Sequence, residues 1–420
     1  MNRASEPGGP ASILNPMAVA ALAFLVVLGP LTTDLYLPAF PRMSEDLGAT
    51  AGEIQASVSA ALLGVAAGQL VVGAVSDSFG RRKPMLAATG LHVAASIALA
   101  SVGSVDWMLA LRVLQGFGAA GAAVVASAIA RDAFNGPRLV GVLARLALLS
   151  GLAPVLAPFV GSLLLRMADW RGIFEALAVY GAVMMCVCAV AVPETLRPPR
   201  QESRAPVRSM LGRYQSVLRD RSFNGALLVG AMVCAGVFAY LSASPFVFEH
   251  TYGLDAGAYG IVFAVNASAF ALGSQISALV LRRRPLFPVL GWALPLGVGG
   301  GLGGVVADVF GWGLPCFTVG MFIFLFSAGA SMPVVQVIAL QRHRLRAGTA
   351  AALLGSGNFS LASLISPLSS LDGGSPLAVG LVLIATSATA TLALGLILRG
   401  RATPVLAREP VPREETRSAL

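Results

Sequence analysis

Two charged residues lie within long apolar stretches of the sequence. Asp34 stands in segment 30–41, near one end of an apolar run that starts at about Met17, and Arg112 lies inside a later run. An ionised side chain at the centre of a membrane helix costs about 2.5–3.5 kcal/mol, so such residues usually face a wet cavity or an opposite charge. At about 1.5 Å per residue, both lie roughly 9 Å from the same predicted boundary. Equal depth and opposite charge make them a candidate pair and a candidate functional site.

Each charged residue also has a simpler interpretation. Asp34 would then be a surface acid that ends a helix, and Arg112 a cation that extends to the membrane surface near Trp107. Glu175, near the outer end of another run, is either a second titrating group or a surface residue.

The composition indicates the class of protein that positions these charges. The 420-residue chain is 56% hydrophobic and 12% charged, with a mean hydropathy of +0.79. A soluble protein of this length cannot bury so much apolar surface, so we predict an all-α membrane protein. Twelve apolar runs are long enough to cross a bilayer: 17–40, 54–76, 84–104, 107–130, 139–165, 171–192, 223–248, 257–280, 286–307, 312–337, 349–370 and 376–398.

The net charge of +9 indicates membrane orientation rather than nucleic-acid binding, because the cations fall between apolar runs. All but five of the 29 Lys and Arg residues lie on one predicted side, so both termini are predicted to be cytoplasmic. The similar loops 81–84 and 282–285 indicate two six-helix pseudo-repeats. The predicted units are a cytoplasmic lead at 1–16, a six-helix bundle at 17–192, a cytoplasmic linker at 193–222, a second bundle at 223–398 and a cytoplasmic tail at 399–420.

One loop carries the most specific pattern in the chain. It reads Gly-Ala-Val-Ser-Asp-Ser-Phe-Gly-Arg-Arg-Lys at 73–83. Gly73 permits close helix approach, and Gly80 permits a backbone conformation that other residues resist. Asp77 can accept hydrogen bonds at a helix N-terminus or pair with an arginine. An ordinary basic loop would explain the charge alone, whereas the spacing of glycine and aspartate favours a specific turn.

This loop resembles the signature of the major facilitator superfamily, Gly-x-x-x-Asp-x-x-Gly-Arg-Arg/Lys, with Ser78 in place of the usual arginine. The resemblance implies the major facilitator fold. It also implies that Asp77 docks on a helix N-terminus of the second half, and that Arg81 pairs with Asp132. Such contacts would latch the outward-facing state and release in the inward-facing one. The predicted latch residues are Gly73, Asp77, Gly80, Arg81, Arg82 and Asp132.

Two further patterns extend the resemblance. The fifth-span pattern, together with segments 33–38, 64–70, 170–174 and 240–246, matches Bcr/CflA-type drug:proton antiporters. Arg112 matches the fourth-helix arginine that takes part in proton coupling in the superfamily. The fold that the resemblance implies would place Arg112 beside Asp34 of the first span. The fifth run resembles the exporter pattern, although Ala153 replaces the usual glycine. Its two glycines and two prolines permit bending, and they are Gly151, Pro154, Pro158 and Gly161.

The resemblance implies a secondary transporter of the bacterial inner membrane that exchanges entering protons for a chloramphenicol-like or bicyclomycin-like drug. Asp34 and Arg112 would couple the proton. We expect a monomer in the bilayer that uses the proton gradient, with no cofactor, no metal, no nucleic-acid partner and no enzymatic activity, since no metal-spaced cluster, nucleophile–base pair or Walker-type loop is present. Two alternatives stay open: export of one endogenous metabolite, or import by symport, which the fifth run disfavours.

Several amide and aromatic residues inside the apolar runs are candidates for a substrate cavity. The same residue types also bridge helices or pack in a core, and this alternative stays open for them. The cavity candidates are Tyr36, Gln115, Phe238, Tyr240, Asn266 and Asn358.

Overall fold

The computed structural model describes residues 14–196, 207–281, 285–343 and 347–399. Within these ranges the structure is helical and contains no strand. The α-helices are α1 (Pro16–Asp34), α2 (Phe40–Leu47), α3 (Ala51–Phe79), α4 (Arg82–Ala100), α5 (Val105–Ala133), α6 (Gly136–Leu164), α7 (Trp170–Ala191), α8 (Val207–Leu218), α9 (Arg221–Pro245), α10 (Ala256–Val280), α11 (Leu286–Val309), α12 (Gly313–Gln341), α13 (Ala347–Ile365) and α14 (Pro376–Arg399). Most of the predicted lead and tail, and basic loop 282–284, lie outside the described residues.

The described helices include 12 that are long and apolar enough to cross a membrane, which confirms the prediction of twelve spans. The first span is interrupted. Its helix α1 ends at Asp34, a 3-10 turn follows at Leu37–Ala39, and α2 continues the span. Pro38 has no N–H group to donate to the Asp34 carbonyl, so the α-helical ladder ends there. The proline therefore places the acidic side chain at a helix terminus.

Helices α1 to α7 form the first half and α9 to α14 form the second. Helix α8 lies within the linker 193–222 and was not part of the sequence prediction. Its Val217 is fully buried in the core of the second half, beside Phe223 and Leu290. The end of the linker is therefore fixed to the second half rather than being only a polar connection.

The two halves share a hydrophobic core at one end only. There, the rings of Phe40 and Phe246 lie 6.0 Å apart between centroids, and the hydroxyls of Ser59 and Ser366 are hydrogen-bonded at 2.9 Å across the seam. At the opposite end, which carries Arg81, the described buried residues form one separate cluster in each half. We call these the sealed end and the basic end.

Small residues allow α3 and α5 to cross at close range. A Cβ atom at Gly64 would overlap the carbonyl of Val113, and one at Gly116 would overlap the carbonyl of Ala61. Backbone therefore packs directly on backbone, as in other membrane helix pairs with small residues at the crossing. This crossing brings α5 close enough for Arg112 to contact α3.

Gly116→Ala is expected to destabilise the protein, because the added methyl group meets the Ala61 carbonyl and forces α3 from α5. Overpacking of this kind costs about 1–3 kcal/mol, or a few degrees in melting temperature. Gly151→Ala is the matched control, since nothing lies within 4 Å of a Cβ atom at Gly151. Thermal unfolding in detergent measures both variants, and equal melting temperatures would contradict the close crossing.

Candidate functional site

The carboxyl group of Asp34 is buried near the seam between the halves. The residue is only 2% exposed, and Oδ1 has no hydrogen-bond partner among the described residues. The turn Leu37–Ala39 that follows it packs against α9 and α10 of the second half. Gly161 of α6 lies against the Leu35 carbonyl, where a Cβ atom would clash. The fifth-span pattern and the acidic residue of the first span therefore meet at one place.

Arg112 is fully buried and bridges α5 to the first two spans. Its Nη1 donates to the Thr32 carbonyl at 2.9 Å and to Oε1 of Gln115 at 2.6 Å, and its Nε donates to the Ser57 carbonyl at 3.5 Å. Its Cζ lies 4.1 Å from the centroid of the Tyr36 ring, whose hydroxyl is 2.8 Å from Ser57 Oγ. Two carbonyls, an amide and an aromatic face therefore hold the cation in place.

Asp34 and Arg112 do not form the direct ion pair that their depth and charge predict. None of the ion pairs of the described residues joins them. Instead, Nη1 and Nε of Arg112 donate to the Thr32 and Ser57 carbonyls and to the Gln115 side chain. Oδ1 of Asp34 and Nη2 of Arg112 each remain without a partner. Both residues are buried, so the surface interpretations are also wrong, whereas Glu175 is exposed.

A buried polar chain extends from Arg112 into α4. Nε2 of Gln115 donates to Ser96 Oγ at 2.8 Å, and Nδ1 of His92 lies 3.3 Å from the Gln115 carbonyl. Gln115 is fully enclosed and supports Arg112 rather than facing open space. Ser96 was not among the predicted site residues, although its spacing of four residues from His92 places both on one helix face.

The cavity candidates of the second half divide into enclosed and accessible residues. Asn266 Nδ2 donates to the Tyr240 hydroxyl at 3.1 Å, and both residues are fully buried. Phe238 packs edge-on against Phe359, and Asn358 has an unpartnered Oδ1; both candidates are partly exposed. In this conformation, the enclosed candidates are Tyr36, Gln115, Tyr240 and Asn266.

Arg81 is the centre of an ion-pair cluster at the basic end. Its Nε donates to Asp132 at 2.7 Å, while Nη1 donates to Asp77 at 2.5 Å and to Ser76 Oγ at 2.9 Å. The pair with Asp132 is the one that the resemblance implies. Burial lowers the pKa of Arg81, but the hydrogen bonds to Asp132 and Asp77 more than offset it and raise the pKa above its ordinary value. Arg81 therefore keeps its charge at neutral pH.

The other latch predictions have different outcomes. Gly80 adopts φ 93°, the conformation that glycine permits, as predicted. The described bond of Asp77 runs to Arg81 in the same half, and its side chain is 67% exposed. Its docking on a helix N-terminus of the second half stays a prediction for the outward-facing state. The Arg81–Asp132 pair is present although the sealed end is closed. Release of the latch contacts on a change of conformation stays a prediction, and the Arg81–Asp132 pair joins two residues of the first half.

A cleft separates the halves at the basic end. Its volume is about 410 Å³. Asp77, Arg81 and Arg131 line it from the first half, and Tyr214 and Thr349 line it from the linker helix and the second half. The polar lining and the absence of a shared core at this end fit a water-accessible passage.

Glu194 is a functional candidate that sequence analysis missed. Its Oε1 accepts from the Arg81 N–H at 2.8 Å and its Oε2 from the Arg82 N–H at 3.1 Å, at the start of α4. Burial raises the pKa of Glu194, but these N–H donors and that of Leu196 lower it below its ordinary value. The acid thereby ties the start of the linker to the signature loop. Its distance in sequence from that loop hides the contact.

Glu194→Gln is expected to lower the melting temperature by a few degrees at neutral pH, since a capping acceptor contributes about 1 kcal/mol. The folded-state pKa lies below the ordinary 4.5, so the ionised group stabilises the fold above pH 4.5 and this contribution is lost as the pH falls through the folded-state pKa. Thermal unfolding of both proteins should therefore converge in acid. Glu45→Gln, at an exposed site, is the control; a difference independent of pH would contradict this role.

The sequence matches the family model described as Major Facilitator Superfamily over residues 22–367. "Uncharacterized MFS-type transporter YdgK" of Bacillus subtilis (strain 168) is 33% identical over 388 residues, which cover 89% of this chain and 94% of that protein. "Multidrug resistance protein MdtL" of Escherichia coli (strain K12 / DH10B) is 30% identical over 403 residues, covering 92% and 96%. "Bicyclomycin resistance protein homolog" of Haemophilus influenzae is 26% identical over 352 residues, covering 83% and 88%.

Two solved structures are similar in fold. A D-xylose-proton symporter superposes with a TM-score of 0.71 at 15% identity, covering 89% of this chain and 96% of that one. A partially occluded inward open conformation of the xylose transporter XylE from E. coli gives a TM-score of 0.71 at 12% identity, covering 91% and 97%. At these identities the likeness concerns the fold alone.

Proposed function

Because the chain belongs to the Major Facilitator Superfamily, a family of membrane transporters, we propose that it exports amphiphilic drugs in exchange for protons. The relatives named for multidrug and bicyclomycin resistance support the substrate class. The enclosed apolar and aromatic surroundings of the candidate site suit ligands that need few polar anchors.

One observation carries the proton-coupling part of the proposal. Asp34 combines complete burial, an unpartnered carboxyl oxygen and a position at the seam where the halves must move. An unpartnered buried oxygen is costly when ionised, and protonation or access to water removes that cost. A carboxyl group whose surroundings change with the conformation therefore changes its proton affinity during the cycle.

The proposed cycle uses Arg112 as a fixed charge. In the described conformation, Nη2 of Arg112 and Oδ1 of Asp34 each lack a hydrogen-bond partner. A rearrangement that brings these atoms or water together stabilises the ionised carboxylate and releases the proton. Each proton that enters in exchange for a neutral drug carries one charge inward, which is favourable by about 2.3 kcal/mol per 100 mV.

We propose that the basic end faces the cytoplasm and the sealed end faces outward. The positive-inside rule supports this orientation, because most cations of the described loops, such as Arg81, Arg82 and Lys83, lie at the basic end. The described conformation is then inward-facing. The drug would enter from the cytoplasmic cleft, and the protein would function in the bacterial inner membrane as a monomer without a cofactor.

Flux measurements in reconstituted proteoliposomes test the function. The purified chain is supplied with chloramphenicol, bicyclomycin or ethidium, and internal pH and drug accumulation are followed together. We expect drug accumulation to require a pH difference, to move protons in the opposite direction and to stop with a protonophore. Drug flux that is the same with and without the protonophore would contradict proton exchange. Proton movement only with an amino acid or dipeptide would assign the protein to a single metabolite instead.

A further inference from the structure

A second cavity lies between α1 and α6 at the basic end, outside the passage between the halves. Its volume is about 710 Å³. Apolar residues form its floor, among them Val19 and Ala20 of α1 and Leu149 of α6. The cavity is lined only by described residues of the first half, whereas both halves contribute to the 410 Å³ cleft. We call it the α1–α6 groove.

Two arginines form one wall of the α1–α6 groove. Arg138 and Arg145 are seven residues apart on α6, so they share a helix face and lie about 10 Å apart along the axis. Both side chains are exposed, and no described hydrogen bond or ion pair involves either guanidinium group. Arg138 precedes the apolar part of the span, which begins at Gly141, and Arg145 lies inside it. An unpaired cation at that depth is costly, which points to an anion that the protein itself does not supply.

The groove lies on the perimeter of the first half. The Phe24 carbonyl, on the groove side of α1, accepts a hydrogen bond from the Tyr180 hydroxyl of α7 at 2.7 Å. Helix α7 packs on α1, α4 and α6, all in the first half. Phe24 and Leu148, which line the groove, are 48% and 57% exposed, as expected for residues that face acyl chains. The groove is therefore open to the bilayer rather than to the drug passage.

We propose that the α1–α6 groove binds an anionic phospholipid of the leaflet at the basic end. The headgroup phosphate would pair with Arg138 at the membrane boundary, and Arg145 would extend along the helix toward the same level. One acyl chain would lie on the apolar floor. A soluble anion would pair with the arginines but would not fill the apolar floor, whereas one anionic lipid molecule does both.

Native mass spectrometry of the full chain in detergent tests the site. The protein is titrated with dioleoyl phosphatidylglycerol or with phosphatidylcholine of the same chains. Each cation near an anionic lipid contributes about 1 kcal/mol to the binding free energy. Arg138→Gln or Arg145→Gln should therefore weaken phosphatidylglycerol binding about fivefold, and the double variant about thirtyfold. Arg219→Gln, an exposed arginine at the basic end outside the groove, is the matched control and should bind as the unmodified protein does.

A second variant tests the apolar floor. Ala20→Trp fills the groove without changing the charge, and it should also weaken phosphatidylglycerol binding, while Ala20 is exposed and its replacement leaves the core intact. Equal binding of the two lipids, or unchanged binding by the double arginine variant, would overturn the proposal. Displacement of the lipid by glycerol phosphate would assign the groove to a soluble anion, and displacement by a transported drug would assign it to substrate. Both results would also overturn it.

Discussion

Asp34→Asn is expected to abolish drug accumulation against a gradient while leaving drug binding intact. The amide has nearly the same shape as the carboxyl group, so the packing at the seam is preserved, but it neither takes up nor releases a proton. One pH unit corresponds to about 1.4 kcal/mol per proton, so two units across the membrane support about hundredfold accumulation for one coupled proton. The variant should show none of this accumulation in proteoliposomes.

Drug–drug exchange distinguishes loss of proton coupling from loss of the folded protein. Drug–drug exchange across the membrane needs no proton, so Asp34→Asn should retain it. Asp106→Asn removes an exposed acid from the first turn of α5 and should transport normally. Accumulation by Asp34→Asn at the level of the unmodified protein would exclude this carboxyl group as the proton carrier, and loss of exchange as well would indicate a structural role.

Arg112→Lys is expected to reduce both stability and proton coupling, although it preserves the charge. A lysine ammonium group lacks the planar fork that reaches Thr32, Gln115 and Ser57 together and stacks on Tyr36. Each lost hydrogen bond to a buried charge costs about 1.5–3 kcal/mol, so the melting temperature should fall by several degrees. Accumulation driven by a pH difference should fall about tenfold or more, since the charge is no longer held near Asp34.

The matched control for this variant is Arg131→Lys. Arg131 lies on the same helix but is exposed at the basic end, and its described surroundings are the polar cleft. Melting temperature and drug accumulation are measured for both variants. Unchanged values for Arg112→Lys would show that charge alone is sufficient and that the fixed geometry has no role.

The span pattern follows directly from the sequence, because bilayer thickness fixes the length of each apolar run. Gly80 is equally predictable, since few residues other than glycine adopt its positive φ. The partners of Arg112 were not predictable in the same way. They are largely backbone carbonyls, and every residue carries a carbonyl, so the sequence contains no signal for Thr32 or Ser57.

The contact of Glu194 with the signature loop shows the same limit. Its acceptor atoms meet backbone N–H groups, which any sequence in the loop would offer. By contrast, the Arg81–Asp132 pair joins two side chains and was anticipated through the family resemblance. Contacts between two side chains can be predicted from the residue types, whereas contacts to backbone groups depend only on how the helices pack.

The unequal ends of the molecule have a consequence for the transporter without cargo. Opening the sealed end parts Phe40 from Phe246 and wets both rings. At about 25 cal/mol per Å², wetting some 200 Å² of aromatic surface costs about 5 kcal/mol, whereas the already divided basic end requires no comparable exposure. Without a bound ligand, the protein is therefore expected to rest with its basic end open. Binding of the ligand or of a proton then has to supply the free energy that opens the sealed end.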